Sequence, residues 1–266
     1  MSRFANKSVV VTGGAQGIGR ACVLAFAQEG GAVVVADRDA DAATATAREV
    51  VSGGGLAVPM PCDVSRAAEV EALFPDAARA FGGVDILVNN AGVIRNGTVV
   101  EMSEADWDLM FDVNIKGMFL TCKNAIPQMR ARGGGAIVNV ASVSSFASTP
   151  ASVAYSASKG AVVSFTRALA VDHAAENIRC NCVAPGSIHT PLLESSADYF
   201  APDDPTGAIA EWGRAHLLRR VGTPEEVARL ITFLASDDAA FCTGACYLID
   251  GGLLAPLFAT STSEPS

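Results

Sequence analysis

The feature that most constrains the fold is an alternation of short β-branched runs with longer Ala-rich amphipathic stretches. The runs are apolar throughout, as in strands buried on both faces, and the stretches between them have helical periodicity, first from about Gly17 and then from roughly Ala40 to Val51. This pattern predicts an α/β fold, a doubly wound parallel sheet with helices on both faces. The strand candidates are Ser8–Val11, Ala32–Ala36, Leu56–Pro59, Val84–Val88, Ala136–Val140, Ile178–Val183 and Cys246–Ile249.

The alternation runs through 266 residues without a linker or an internal repeat, and half of the residues are hydrophobic (50%). A chain of this size and composition is expected to form one domain, residues 1–266, with a large core. Residues 187–220 contain Pro191, Pro202 and Pro205 and predict a loop-and-helix excursion over a binding site. Residues 253–266 end in small polar residues and predict a poorly ordered tail.

The charge balance bears on the partners. The chain carries 19 Lys and Arg against 28 Asp and Glu, a net charge of -9, which argues against binding nucleic acid or an anionic membrane surface. The N-terminal residues do not resemble a signal peptide, and no apolar run approaches the ~18 residues needed to span a bilayer. We expect a cytoplasmic protein whose partners are small molecules.

The seven cysteines are scattered and lack the paired spacing of a zinc site. Cys180 and Cys182 would lie on the same face of a strand, where they are expected to pack as reduced core thiols. The sequence therefore implies no metal.

A glycine-rich turn follows the first predicted strand and leads into the first helix, Thr12-Gly13-Gly14-Ala15-Gln16-Gly17-Ile18-Gly19. Glycines let the backbone turn sharply and approach a pyrophosphate, whose negative charge a helix N-terminus favours. Alone, the cluster also fits an ordinary turn, but its place between strand and helix predicts a dinucleotide site. The candidate contacts are Gly13, Gln16, Gly17, Ile18 and Gly19.

Asp37 ends the second predicted strand, about twenty positions after the turn. There its carboxylate would accept hydrogen bonds from the 2'-hydroxyl of an adenosine ribose and repel a 2'-phosphate. NAD is therefore favoured over NADP. Arg38 follows directly and is either a phosphate contact or a solvated side chain.

Tyr155 and Lys159 form a candidate proton-transfer pair, because a helix would place them one turn apart on the same face. Free tyrosine loses its proton near pH ~10, and a close positive charge favours the phenolate. The spacing predicts a lowered pKa for Tyr155, although alone it also fits a solvated helix face.

From Lys7 to about Gly252 the chain resembles the short-chain dehydrogenase/reductase family, whose fold is a single-domain Rossmann-like sheet. Its motifs occur in order: Thr12-Gly13-x-x-x-Gly17-x-Gly19, Asp63-Val64, Asn89-Asn90-Ala91-Gly92, Asn114, Ser142, Tyr155-x-x-x-Lys159, and Pro185-Gly186 leading to Thr190.

The resemblance implies a catalytic tetrad of Asn114, Ser142, Tyr155 and Lys159. Tyr155 would be the general acid/base, and Ser142 would hydrogen-bond the substrate oxygen. Lys159 would hold the nicotinamide ribose and favour the Tyr155 phenolate, while Asn114 would help to hold a relay water. Ser144 and Ser145 compete with Ser142, which the interval to Tyr155 favours.

The resemblance also implies further cofactor contacts. Asp63 and Val64 would flank the adenine, and Asn90, Ala91 and Gly92 would line the adenosine and ribose side. Tyr155, Lys159 and the segment Pro185, Gly186, Ile188 and Thr190 would lie at the nicotinamide. Asn89 has either a cofactor role or a structural role in the sheet.

The expected activity is hydride transfer between NAD(H) and a secondary alcohol or ketone. The alternatives are a non-catalytic NAD(H) sensor or scaffold and, more weakly, an NAD-using epimerase or dehydratase. Family analogy implies a homotetramer formed through helices at about 104–130 and 154–175. The residues expected near the substrate are His189, Leu192, Leu193, Glu194, Tyr199, Phe200, Trp212 and His216. Of these, His189 is either a polar contact of the substrate or a surface residue. Further candidates for substrate contact are Ile94, Arg95 and residues 147–149.

Overall fold

The computed structural model describes residues 2–256, and within them seven parallel strands form one sheet in the order β3-β2-β1-β4-β5-β6-β7. Each predicted strand is confirmed, since β-branched runs such as Val33-Val34-Val35 favour a pleated, buried backbone. The strands are β1 Ser8–Thr12, β2 Ala32–Asp37, β3 Leu56–Pro61, β4 Ile86–Asn89, β5 Gly135–Val140, β6 Ile178–Pro185 and β7 Cys246–Ile249.

Nine α-helices occur in the same described residues: α1 Gly17–Gln28, α2 Ala40–Ser52, α3 Ala67–Phe81, α4 Glu104–Phe111, α5 Gly117–Ala131, α6 Val153–His173, α7 Pro191–Phe200, α8 Pro205–Ala215 and α9 Pro224–Ala235. Short 3₁₀ turns lie at Val143–Ser145, Ala174–Glu176 and Asp237–Ala239.

The helices cover both faces of the sheet. Along β1, Val9 and Val11 pack with residues of α1, α2 and α9, whereas Val10 packs on the other side with residues of α3, α5 and α6. Successive side chains of a strand point to opposite faces, so the apolar run of β1 contributes to both cores. The predicted doubly wound, Rossmann-like α/β fold is confirmed.

The sheet order reverses between β1 and β4, which are neighbours although they are not consecutive. In open α/β sheets, ligands bind outside the carboxyl ends of the strands at such a switch point. Thr12, Asn89, Val140 and Pro185 end β1, β4, β5 and β6 at that edge. The motifs that follow these strands are therefore brought together.

One helix differs from its prediction. The expected continuous helix at about 104–130 is split into α4 and α5 by a π-helical turn, Asp112–Lys116. Such turns are often found at functional sites, and this one contains Asn114.

The predicted excursion at 187–220 contains α7 and α8, each with a proline at the start of its first turn, where proline is well tolerated. The predicted tail extends from Leu253 to Pro256 within the structure, and its remainder lies outside the described residues. Among residues 2–256 no helix is long and apolar enough to span a membrane, and the cytoplasmic location stays a prediction.

The cysteines pack as predicted in most cases. All seven are free thiols, and only Cys242 and Cys246 are not fully buried. Burial raises the pKa of the Cys122 thiol to about 12, so this thiol stays protonated and unreactive at neutral pH. In the described part of the chain, no three His, Cys, Asp or Glu side chains are grouped to hold a metal.

Candidate active site

The glycine turn has the backbone shape that its sequence predicts. Gly13 and Gly17 have φ values of +63° and +53°, a region that favours glycine. A Cβ on Gly13 would lie 2.9 Å from the Cα of Ala91, and one on Gly19 would overlap the carbonyl oxygen of Gly13. The turn therefore packs too closely for side chains at Gly13 and Gly19. Within residues 2–256, no N-cap side chain bonds the first N–H groups of α1.

Asn90 holds the end of β4 against this turn. Its Nδ2 donates to the carbonyl oxygens of Thr12 at 3.1 Å and Gly13 at 2.9 Å. In return, the Thr12 hydroxyl accepts hydrogen bonds from the backbone N–H groups of Asn90 and Ala91. These bonds fix the shape of the turn before any ligand binds.

Asp37 lies at the end of β2 beside the turn. Its two carboxylate oxygens accept hydrogen bonds from the backbone N–H groups of Ala15 and Asp39, both at 3.0 Å. The carboxylate lines the same cavity as the turn and keeps lone pairs for a further donor. It can therefore accept a further hydrogen bond from a group in the cavity, and its contact with a ribose hydroxyl stays a prediction.

Ser142 and Tyr155 face each other across the cavity edge. Ser142 lies two residues after the end of β5 and is buried, and its interaction with the Tyr155 hydroxyl lowers the pKa of that tyrosine. Ser144 donates its backbone N–H to the Ser142 hydroxyl, and the Ser145 hydroxyl donates to the carbonyl of Lys159. Ser145 does not line the cavity, whereas Ser144 lines it together with Ser142. The choice of Ser142 over Ser144 therefore stays a prediction, supported by the interaction of Ser142 with Tyr155.

Burial raises the pKa of Tyr155 above its ordinary value, and the hydrogen bond from Ser142 offsets this only in part. The sequence predicts a lowered pKa for Tyr155, whereas in the structure of the protein alone this pKa is raised. The reason is that the Lys159 Nζ lies 5.7 Å from the centre of the Tyr155 ring, while loss of water disfavours the phenolate.

Lys159 is buried, and its Nζ donates to the carbonyl oxygen of Val140 at 2.8 Å. Burial lowers the pKa of this ammonium to about 8, because an apolar environment disfavours the charged form. A lysine with such a pKa gives up a proton readily near neutral pH.

Asn114 lies in the π-helical turn and is fully buried. Its Oδ1 accepts from the backbone N–H of Val93 at 2.8 Å, and its Nδ2 donates to the Val93 carbonyl and to Ser158. The side-chain amide is therefore committed to holding the segment after β4 against α6.

A cavity of about 690 Å³ connects these groups. All predicted catalytic and cofactor residues except Gly19 and Asn114 line this cavity. In chain order, those that line it are Gly13, Gln16, Gly17, Ile18, Asp37, Asp63, Val64, Asn90, Ala91, Gly92, Ser142, Tyr155, Lys159, Pro185, Gly186, Ile188 and Thr190.

Comparison with known proteins agrees with this arrangement. The family model described as enoyl-(acyl carrier protein) reductase matches residues 13–254. A probable short-chain type dehydrogenase/reductase of Bradyrhizobium diazoefficiens is 46% identical over 96% of this chain and 90% of that protein. The chain belongs to the short-chain dehydrogenase/reductase family.

Solved structures of short-chain dehydrogenases/reductases also match. A levodione reductase is 33% identical, with a TM-score of 0.92 over 95% of this chain and 99% of that one. The aldohexose dehydrogenase of Thermoplasma acidophilum is 35% identical, with a TM-score of 0.88 over 100% of this chain and 99% of that one. The chain is thus an oxidoreductase of a family that uses nicotinamide cofactors.

Helices α7 and α8, which we call the lid, contribute several residues to the lining of the cavity. Of the residues expected there, Leu192, Leu193, Phe200, Trp212 and His216 line the cavity. His189, Glu194 and Tyr199 are instead exposed and do not line it, and His189 lies 4.0 Å from Glu194. For His189 the surface interpretation is therefore the better one.

His216 is buried and has a structural role. Its Nδ1 lies 2.9 Å from the carbonyl oxygen of Trp212, and its Nε2 accepts from the backbone N–H of Ser187 at 3.2 Å. The imidazole therefore joins the end of α8 to the segment after β6.

Of the two roles considered for Asn89, a cofactor contact or a structural role in the sheet, its contacts favour the structural one. It is buried, donates to Asn139 at 2.9 Å and accepts from the Thr121 hydroxyl at 2.7 Å. Sequence reasoning missed Leu109, Val113 and Val143, which line the cavity. They belong to no motif, and only their apolar character in segments next to the motifs could have indicated them.

Proposed function

We propose that the protein is an NAD-dependent dehydrogenase/reductase that interconverts a secondary alcohol and its ketone, with Tyr155 as the general acid/base. The observation that carries this proposal is one cavity with two chemically distinct ends. Ser142, Tyr155 and Lys159 lie at one end, and the glycine turn with Asp37 lies at the other.

The residues present fit a dinucleotide. Gly13, Gly17 and Gly19 leave room for close approach of a pyrophosphate to the N-terminus of α1, where the structure, as far as it describes the chain, shows no side-chain cap on the backbone N–H groups. Lys159 would hold the nicotinamide ribose, and Ile188 and Thr190 would lie at the nicotinamide. When bound, the cofactor supplies the acceptor or donor of the hydride.

The protein supplies the proton chemistry. Because burial raises the pKa of Tyr155, its hydroxyl is protonated at neutral pH and is ready to donate to a ketone oxygen in reduction. Ser142 would donate to the same oxygen as negative charge develops. In oxidation Tyr155 would first give up its own proton, a loss that the positive charges of Lys159 and of the oxidised nicotinamide would favour. The phenolate would then take the alcohol proton, and Lys159, with its pKa of about 8, would pass protons onwards.

Asp37 supports NAD over NADP. A 2'-phosphate would bring up to two negative charges next to this carboxylate, which already accepts hydrogen bonds from Ala15 and Asp39. Arg38 lines the same end of the cavity, but it is exposed and forms no ion pair with Asp37 among the described residues. Repulsion by Asp37 is therefore expected to outweigh attraction by Arg38.

The similar structures support the reaction class. One is named a reductase for levodione and another a dehydrogenase for aldohexose. Both names describe oxidoreductases, which is the class of enzyme proposed for this chain.

The direct test is Tyr155→Phe, which keeps the ring and removes the hydroxyl. We expect turnover on a panel of alcohols and ketones to fall about 10²- to 10⁴-fold, while NAD binding measured by calorimetry is retained. Tyr199→Phe is the control, because Tyr199 is exposed and lies outside the cavity. Full activity of Tyr155→Phe would refute the proposed role, and tight NADH binding without turnover by the unaltered protein would favour a sensor.

We also propose a homotetramer formed through the outer faces of α4, α5 and α6. Trp107, Phe119 and Val171 on these helices are exposed large hydrophobic residues, and apolar faces of this kind suit contacts between subunits. Sedimentation of the protein as a stable monomer would contradict this assembly.

A further inference from the structure

The end of the cavity beyond Ser142 and Tyr155 differs in composition from the end that would hold the cofactor. Its walls come from the segment after β4, from α4, from the turn after β5 and from the lid. Six large apolar side chains dominate these walls: Ile94, Leu109, Val143, Leu193, Phe200 and Trp212. A ligand in this space exchanges water for apolar surface.

Charged groups lie elsewhere in the cavity. Among residues 2–256, the charged side chains that line it are Asp37, Arg38 and Asp63 at the cofactor end and Lys159 at the catalytic centre. The Lys159 Nζ already donates to Val140. A carboxylate or phosphate on a substrate would therefore be buried beyond Tyr155 without a dedicated partner, which is unfavourable.

His216 does not provide a partner for a charged substrate group either. It is the titratable side chain on the lid side, but both ring nitrogens are occupied by backbone groups, at Trp212 and at Ser187. The Ser196 hydroxyl is likewise committed, to the carbonyl of Leu192. The Ser144 hydroxyl has no hydrogen-bond partner within residues 2–256, so it is left for one more neutral polar group.

The lid adds an aromatic wall. Phe200 on α7 and Trp212 on α8 meet edge to face, with ring centroids 6.4 Å apart and planes at 82°. Both rings line the cavity and offer apolar aromatic surface to a ligand there, with Phe200 41% exposed. The full volume of about 690 Å³ is shared with the dinucleotide, which leaves room for a small substrate.

Resting on the proposed function, we infer that the substrate is an uncharged alicyclic or aromatic alcohol, or the matching ketone, whose apolar body packs against Phe200 and Trp212. Its reacting oxygen lies at Ser142 and Tyr155. Sugar acids, phosphorylated alcohols and other anions are excluded by the cost of burying an unpaired charge.

The chain offers a direct probe of this site, because it contains two tryptophans, Trp107 and Trp212. Trp107 lies on α4, is stacked on Phe111 and does not line the cavity. In Trp107→Phe the fluorescence therefore reports on Trp212 alone. In Trp212→Phe it reports on Trp107 and serves as the control.

Trp107→Phe saturated with NAD⁺ is titrated with two matched ketones, which NAD⁺ cannot oxidise. Methyl 4-oxocyclohexanecarboxylate is neutral, and 4-oxocyclohexanecarboxylate has the same ring with a negative charge. We expect a saturable change in Trp212 emission with the ester, and binding of the anion at least about a hundredfold weaker. Equal or tighter binding of the anion, or no saturable response to the ester, would overturn the inference.

A variant of the aromatic wall provides a second measurement. Phe200→Ala is expected to raise the dissociation constant of the ester about tenfold. Phe241→Ala removes an equally large but fully exposed ring outside the cavity and is the matched control. Equal effects of the two variants would count against packing on Phe200.

The same ligands separate this inference from the proposed function. Binding of the ester without NADH oxidation would retain the substrate class and refute the dehydrogenase activity. Turnover confined to anionic or sugar substrates would retain the activity and refute the substrate class.

Discussion

Replacing Lys159 by methionine tests the electrostatics of the catalytic centre without any substrate. Lys159 is buried and its pKa is lowered to about 8, so the folded protein holds its ammonium at a cost. Methionine has similar length and carries no charge. The difference in unfolding free energy between variant and wild type is therefore expected to depend on pH.

The magnitude follows from the two pKa values. Each pKa unit corresponds to about 1.36 kcal/mol, so a fall from 10.5 to about 8 makes the ammonium about 3 kcal/mol more costly in the folded state. Because the folded-state pKa is the lower one, this cost is complete below about pH 8 and disappears above the unfolded value of 10.5.

The unfolding free energy of Lys159→Met, relative to that of the wild type, should therefore fall as pH rises. Between about pH 6.5 and about pH 9.5, the unfolding free energy of the wild type should gain about 2 kcal/mol relative to Lys159→Met. The lost hydrogen bond to Val140 shifts the difference by an amount that does not depend on pH, so it leaves this change intact.

The assay is urea unfolding of the cofactor-free protein followed by circular dichroism, at fixed ionic strength and fixed protein concentration. Lys123→Met, at an exposed position of α5, controls for the loss of one positive charge. A difference between Lys159→Met and wild type that stays constant from pH to pH would refute the reasoning.

Three further predictions concern the remainder of the structure. Asp37→Asn, which keeps an acceptor for Ala15, should lower the preference for NAD over NADP about tenfold or more; unchanged dissociation constants by calorimetry would contradict it. Gly19→Ala, whose Cβ overlaps Gly13, should cost about 1–3 kcal/mol, and an unaltered melting temperature would count against this packing. Asp85→Asn should cost about 2–4 kcal/mol in urea unfolding, since buried Asp85 accepts from Ser8 at 2.8 Å and Arg132 at 2.7 Å; a smaller loss would indicate that solvent replaces these bonds.

The strands were predictable because their signal is local. A run such as Val33-Val34-Val35 favours extended backbone whatever surrounds it, and its apolar character on both faces already implies burial in a parallel sheet. The glycine turn was predictable for a similar reason, since Gly13 and Gly17 need φ values of +63° and +53° that other residues rarely adopt.

The π-helical turn was not predictable in this way. Nothing in Asp112–Lys116 departs from ordinary helical sequence, and the features that accompany the turn lie far away in the chain. Asn114 is bonded to Val93 and to Ser158, so its environment depends on how the segment after β4 meets α6.

The same distinction holds for Tyr155. Its spacing from Lys159 is a local property and predicted their shared helix face, whereas the direction of its pKa shift depends on burial by the whole fold. The apolar walls at Leu109 and Val143 were missed for the same reason, because they are defined only by the cavity that they line.

The bridge made by His216 joins two segments of the chain that line the same cavity. Its ring links the backbone carbonyl of Trp212, which lines the cavity, to the backbone N–H of Ser187, which lies within the segment expected at the nicotinamide. A ligand that changes the position of one partner changes the bond to the other. By linkage, any factor by which cofactor tightened substrate binding would be the factor by which substrate tightened cofactor binding, and the His216 bridge is the structural element through which such reciprocity would be sought.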